Sequence, residues 1–189
     1  KAPGYWNFSH GLLEDYKRNQ TQASKDALIQ LSLNAAYCPD TTPLDWTADS
    51  TLSREVAYAI TTYLNAELVG APRRERLYDL VDQAIGHIDQ WFVSKKAPYV
   101  RPFMVALTAH ALRQYYDQVN KDPRILPALD IALESLWKKF WRPKAKAFIY
   151  GTSDTPEDPL PAPDLNLLIA PAYAWQWKMT KQRKWISRA

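Results

Sequence analysis

Cysteine is nearly absent from this sequence: Cys38 is the one thiol among 189 residues. No internal disulfide can form, and with no histidine near it in sequence the thiol reads as buried and unreactive, not as a nucleophile. Glycine is scarce too, with five in the chain, and no Gly-rich phosphate loop, zinc-ligand spacing or nucleophile elbow occurs. No apolar run is long enough, at about 18 residues, to form a membrane-spanning helix. No signal peptide is visible. The chain opens on Lys1, not Met, as a processed chain or a segment cut from a longer one does.

What is present is an aromatic-rich globular composition, 47% hydrophobic with eight Trp, sufficient for one domain with a sizeable core. The net charge of +4 is a weak pointer to an anionic partner, and much of it sits in WKKFWRPKAK (137–146) and KMTKQRKWISR (178–188). Both clusters interleave with Trp on outer or terminal segments. They therefore read as solvated faces, and nucleic acid is not an expected partner.

A repeat is hidden in the spacing. Offsets of 52 and 48 bring Leu12, Leu64 and Leu112 into one column, and Tyr16, Leu68 and Tyr116 into the column one turn later. The same offsets align Ile29, Val81 and Leu129, then Ser32, Ala84 and Ala132. They also align Leu33, Ile85 and Leu133, then Ala36, Ile88 and Leu136. A small residue flanked by large apolar ones at spacings of three and four marks closely packed helices. The unit is a helical hairpin, present three times, with a fourth first helix near the end.

First helices lack charge over 56–66, 102–112 and 165–177, whereas second helices carry charges along one face. The expected fold is therefore all-α: hairpin repeats in an inner and an outer layer, about seven helices, with KAFIYGT (146–152) suggesting a short β-hairpin within 141–163. It forms a single domain over 1–189, with units near 1–52, 53–100, 101–163 and 164–189. Ser53, Asp122 and Asp164 stand where helix caps are expected. Pro171 conflicts with its helix and predicts a kink or a later start. Turns inside hairpins are short (19–24, 69–72, 118–121) and connections between them long (37–52, 93–100, 141–163). The long ones all end at the start of an inner helix, so they collect on one face, the expected binding face.

Layered hairpins, long loops on one side and aromatic residues among those loops resemble the α/α toroid superfamily. That group includes the six-hairpin glycosidases, the unsaturated glucuronyl hydrolases and related polysaccharide lyases. The resemblance is one of architecture over nearly the whole chain. The three and a half hairpins here correspond to part of a toroid or an open arc. It implies a substrate groove over the N-terminal ends of the inner helices, where the loop lengths also place one.

At that mouth the sequence puts Trp6, Asp45, Trp46, Asp49, Arg54, Glu55, Tyr58, Tyr99, Arg101, Tyr150, Asp164 and Asn166. Aromatic faces stack on sugars, and Arg or carboxylates bind hydroxyls and uronates. Trp46 between two aspartates fits that use, or it covers helix ends. Arg54 and Arg101 either clamp an anionic group or pair with Glu55 or Asp49. Glycoside hydrolysis needs two carboxylates roughly 5–9 Å apart, and Glu55, Asp49 and Asp164 are the candidates. Glu55 in a first helical turn also satisfies the helix dipole alone. A lyase would need a His or Tyr base beside an Arg, but His10 and His110, at one repeat position deep in the inner helices, read as core histidines. DTPED (154–158) reads as a solvated loop in preference to a calcium site, so no metal or other cofactor is expected. Asn7 and Asn19 head glycosylation tripeptides of a kind common by chance.

Two functions follow from these features. One is a carbohydrate-associated protein, hydrolase, lyase or sugar-binding relative, taking an oligosaccharide or anionic small molecule at the loop face; an extracellular or periplasmic setting goes with it. The other is a helical-repeat scaffold or accessory domain that binds a protein, a peptide or further domains of a longer chain, without catalysis.

Overall fold

The computed structural model describes residues 7–153 and 159–189. Among them are eight α-helices: α1 (Ser9–Asn19), α2 (Gln22–Asn34), α3 (Ser53–Glu67), α4 (Arg76–Phe92), α5 (Pro102–Gln118), α6 (Ile125–Phe140), α7 (Asn166–Thr180) and α8 (Arg183–Ile186). A two-stranded antiparallel hairpin, β1 (Trp141–Arg142) and β2 (Ala147–Phe148), pairs Trp141 with Phe148 inside the longest connection. No helix among the described residues is long and apolar enough to cross a membrane.

The inner row packs in the order α1, α3, α5, α7, and α2, α4 and α6 lie against its back. The repeat columns explain this order. Ser32, Ala84 and Ala132 are all buried, so the small residue sits where helices approach most closely. Leu64 and Leu112 are fully enclosed, but Leu12 of the first unit is only partly covered. Burial is thus deeper in the second and third hairpins than in the first. Enclosing a leucine side chain stabilises by about 1.5–3 kcal/mol, so most of the apolar stabilisation lies in the second and third units.

Charge-free helices prove to be of two kinds. In α3 and α5 nearly every residue from Val56 to Ala66 and from Phe103 to Leu112 is buried. In α7 one face is buried through Ile169, Tyr173 and Trp175, while Leu167 is 82% and Leu168 46% exposed. Pro171 does not delay α7, which begins at Asn166 after a 3-10 turn. The carbonyl that its missing N–H leaves unserved is that of Leu167, at a wet position. Of the expected caps, Asp122 accepts from the Arg124 amide at 2.9 Å. Ser53 makes no capping bond; Asp49 instead caps the preceding 3-10 turn through Thr51, at 2.8 Å.

Two connections are tied down in ways the spacing did not reveal. Gln83, His87 and Gln90 form one stripe of α4 and bond the carbonyls of Leu44, Thr47 and Ala48 at 2.6, 3.0 and 2.8 Å. The loop bearing Asp45, Trp46 and Asp49 is therefore tied to α4 of the outer layer, while its 3-10 turns also touch α3 of the inner row. The two basic clusters meet on Glu134, which pairs with Lys138, Lys184 and Arg188 at 3.1, 3.4 and 2.8 Å. Their tryptophans are held inward: Trp137 stacks on Trp141 at 4.8 Å, and Trp185 is fully buried against Tyr173.

Candidate functional site

Curvature of the inner row brings together residues of helices that are not neighbours in it. Phe8 and His10 at α1, Tyr58 and Thr61 of α3, Leu107 and His110 of α5, and Leu167, Pro171 and Trp175 of α7 enclose a cleft of about 240 Å³. Its walls are mostly aliphatic or aromatic, and Phe8 and Tyr58 meet edge to face at 5.8 Å. His10, His110, Arg113 and Trp175 also border a wider polar groove alongside, which adds Glu14, Lys17, Asp117 and Lys178.

The floor is a chain of hydrogen bonds. Arg113 Nη2 donates to His110 Nδ1 at 2.7 Å, and the Nε2 atoms of His110 and His10 are 3.0 Å apart. His10 Nδ1 lies 3.2 Å from the Asn65 amide, which also meets Ser9 and Gln114. A guanidinium only donates, so His110 Nδ1 must be a lone pair and its proton sits on Nε2. That proton points at His10 Nε2, which must accept, so His10 carries its own on Nδ1. A proton on His10 Nδ1 requires the Asn65 amide turned over from the orientation in which it donates to Ser9 and accepts from Gln114, with the Gln114 amide turning along with it. One orientation fixes the rest, and both imidazoles are neutral.

Electrostatics agrees with this assignment. Burial, then the Arg113 charge and His10, push His110 down to about 4. Burial is also the main cause lowering His10, with Glu14 partly opposing it. Burial raises the Tyr58 phenol. The same geometry argues against a metal bridging the two Nε2 atoms, because His110 Nδ1 would then need a proton facing the Arg113 donor. No group of three His, Cys, Asp or Glu suited to a metal stands among the described residues.

The residues expected at the mouth have several different local partners. Tyr58 lines the cleft. Glu55 is buried and pairs with Arg54 at 3.0 Å. Asp49 caps its turn, with its carboxyl lowered mainly by the Thr51 hydrogen bonds, and Asp164 is exposed in the 3-10 turn before α7. Asp45 and the 54%-exposed Trp46 sit on the loop tied to α4. Asn166 holds the β-hairpin to α7, donating to Lys146 O at 2.8 Å and accepting from Phe148 N at 3.2 Å. Tyr99, Arg101 and Tyr150 do gather: the guanidinium lies 4.9 and 5.3 Å from the two ring centres. Trp6 and the 154–158 stretch lie outside the described residues.

Cys38 is enclosed, and burial pushes its thiol up to about 12, so it is inert as expected. Asn7 is buried, accepting from Thr62 at 3.0 Å, so the folded chain offers no glycan acceptor there. The histidines differ from the core reading: His10 is exposed as a residue, its ring shielded only where it meets His110 and Asn65, and both rings border open space. Their shared repeat position was the one available signal, and Arg113 one turn beyond His110 carried none.

These features define an all-α protein of two helical layers with an apolar cleft floored by paired neutral histidines. No family model, curated protein or solved structure matches the chain.

Proposed function

We propose that this chain is a binding module that captures a peptide segment by enclosing one large apolar side chain in the inner-row cleft. The observation that carries the reading is the cleft's chemistry: aliphatic and aromatic walls of side-chain size, continuous with a polar groove of mixed charge. An apolar anchor with charged flanks is what such a surface complements. Phe8 and Leu168 are 63% and 46% exposed on the rim, so replacing them spares the core. Fluorescence polarisation with a panel of labelled peptides, each bearing one Leu, Phe or Trp among charged residues, is the test. The double change Phe8→Ser and Leu168→Ser is expected to weaken the best peptide about tenfold or more, some 1.4 kcal/mol. Binding indifferent to that change, or no binding across the panel, removes the reading.

A second reading has its own observation. The Tyr99–Arg101–Tyr150 cluster at the start of α5 supports binding of an acidic glycan at the loop face, stacked on a ring and held by the guanidinium. This second reading is one of binding alone and invokes no catalytic carboxylate pair. Calorimetry with uronic-acid oligosaccharides should give heat that Arg101→Ala abolishes; no heat with the unaltered chain rejects it.

A further inference from the structure

We infer that Arg113 is the anchor for a carboxylate of the peptide seated in the cleft, an inference that rests on the binding reading above. Arg113 borders both the apolar chamber and the wider groove, and its side chain is only partly open to solvent. Its hydrogen bond goes to a neutral imidazole, and among the described residues no carboxylate stands within ion-pair distance of it. A guanidinium cannot shed its charge, so removal from water without an anion is costly, and an incoming anion recovers that cost.

The nearby acids have other partners, and the one whose charge reaches Arg113, Asp117, offsets its burial only in part. Glu14, on the facing helix α1, pairs with Lys17 at 3.5 Å and Arg18 at 3.7 Å. Asp117, one turn beyond Arg113, accepts the Trp175 indole N–H at 3.2 Å. Lys17 from α1 and Lys178 from α7 line the same groove, giving three cations against two acids there. Of the five N–H donors on the fork one is spent on His110, which leaves enough to hold a carboxylate bidentately. Apolar chamber and guanidinium are adjacent, so the ligand carries its acid close to its apolar anchor. A peptide ending in an aromatic residue, or one with an acidic residue beside it, has that arrangement.

The probe pair is 3-phenylpropionate and its neutral amide, titrated into the whole chain by heteronuclear NMR with His110 and Trp175 resonances as reporters. The acid is expected to bind at least tenfold more tightly. The preference should vanish in Arg113→Gln and largely persist in Arg113→Lys, whose retained charge separates anion binding from loss of structure. Equal binding of acid and amide to the unaltered chain overturns the inference and leaves the cleft reading standing; binding of neither overturns both. Decapeptides ending in Leu-Phe as free acid, as amide, and as amide with Glu after Phe then tell a terminal from a side-chain carboxylate. An advantage for either acid supports the inference, and none for both opposes it.

Discussion

Lowering the pH from 7 to 5 is expected to remove roughly 4 kcal/mol of folding stability through two histidines, about 2 kcal/mol each. His87 and His110 are both held down to about 4, chiefly by burial. For a histidine whose folded value lies below its unfolded one, near 6.5, stability is complete above the unfolded value and is lost as the pH falls toward the folded one. The window is therefore pH 6.5 to 4. In His87 the cause is visible: Nε2 meets the Thr47 carbonyl at 3.0 Å, while buried Nδ1 has no partner to receive a second proton's bond. In His110 a second proton would point at Arg113. Glu134, lowered to about 2 by Arg188 and its neighbours, acts in a separate window below about 4.5. Urea unfolding at intervals from pH 7 to 4 measures the loss. A flat profile down to pH 4.5, or imidazole NMR titrations centred near 6.5, contradicts the assigned protonation states.

Trp185→Ala should destabilise the chain by about 3–5 kcal/mol, the range for deleting an enclosed aromatic side chain. Trp185 belongs to a helix of one turn, too short to persist alone, yet it is fully buried. It lies against Tyr173, whose hydroxyl donates to Leu133 O at 2.9 Å, joining α7 to α6. Lys184 lies 4.2 Å over its ring, and Arg188 lies 5.3 and 5.5 Å from the Trp137 and Trp185 centres. Removing the indole opens a cavity and takes away the ring against which Lys184 and Arg188 lie. Denaturant unfolding at pH 7 reads the effect, and a loss under about 1 kcal/mol would show that α8 is only an appendage.

Legibility followed periodicity. The hairpin unit, the two layers and the column of Ser32, Ala84 and Ala132 rest on spacing, which sequence records directly, and the small hairpin after Trp141 on the local run KAFIYGT (146–152). The site was less visible. Which end of an inner helix faces the loops could be counted, but how tightly the row bends could not. That bend brings His10 and His110 together from a shared repeat position 100 residues apart. Loop length places Asp45 and Trp46 on the loop face, at the start of an inner helix. Side chains of Gln83, His87 and Gln90 also tie that loop to α4, and in sequence their polar stripe is indistinguishable from a solvated one.

The two sides of the cleft differ in how firmly they are built. The wall on α5 and α7 grows out of the main core, whereas α1 buries only Ser9 and Leu13 and α2 only Leu28 and Ser32. That first hairpin is held by a small cluster of its own, Leu13 and Leu28 against Ala66 and Val69. Sparse anchoring of this kind lowers the free energy of local opening well below that of global unfolding. Backbone amides of α1 and α2 will exchange with solvent long before those of α3 and α5. The cleft is thus a jaw with one fixed and one yielding side, and the yielding side carries Phe8 and His10.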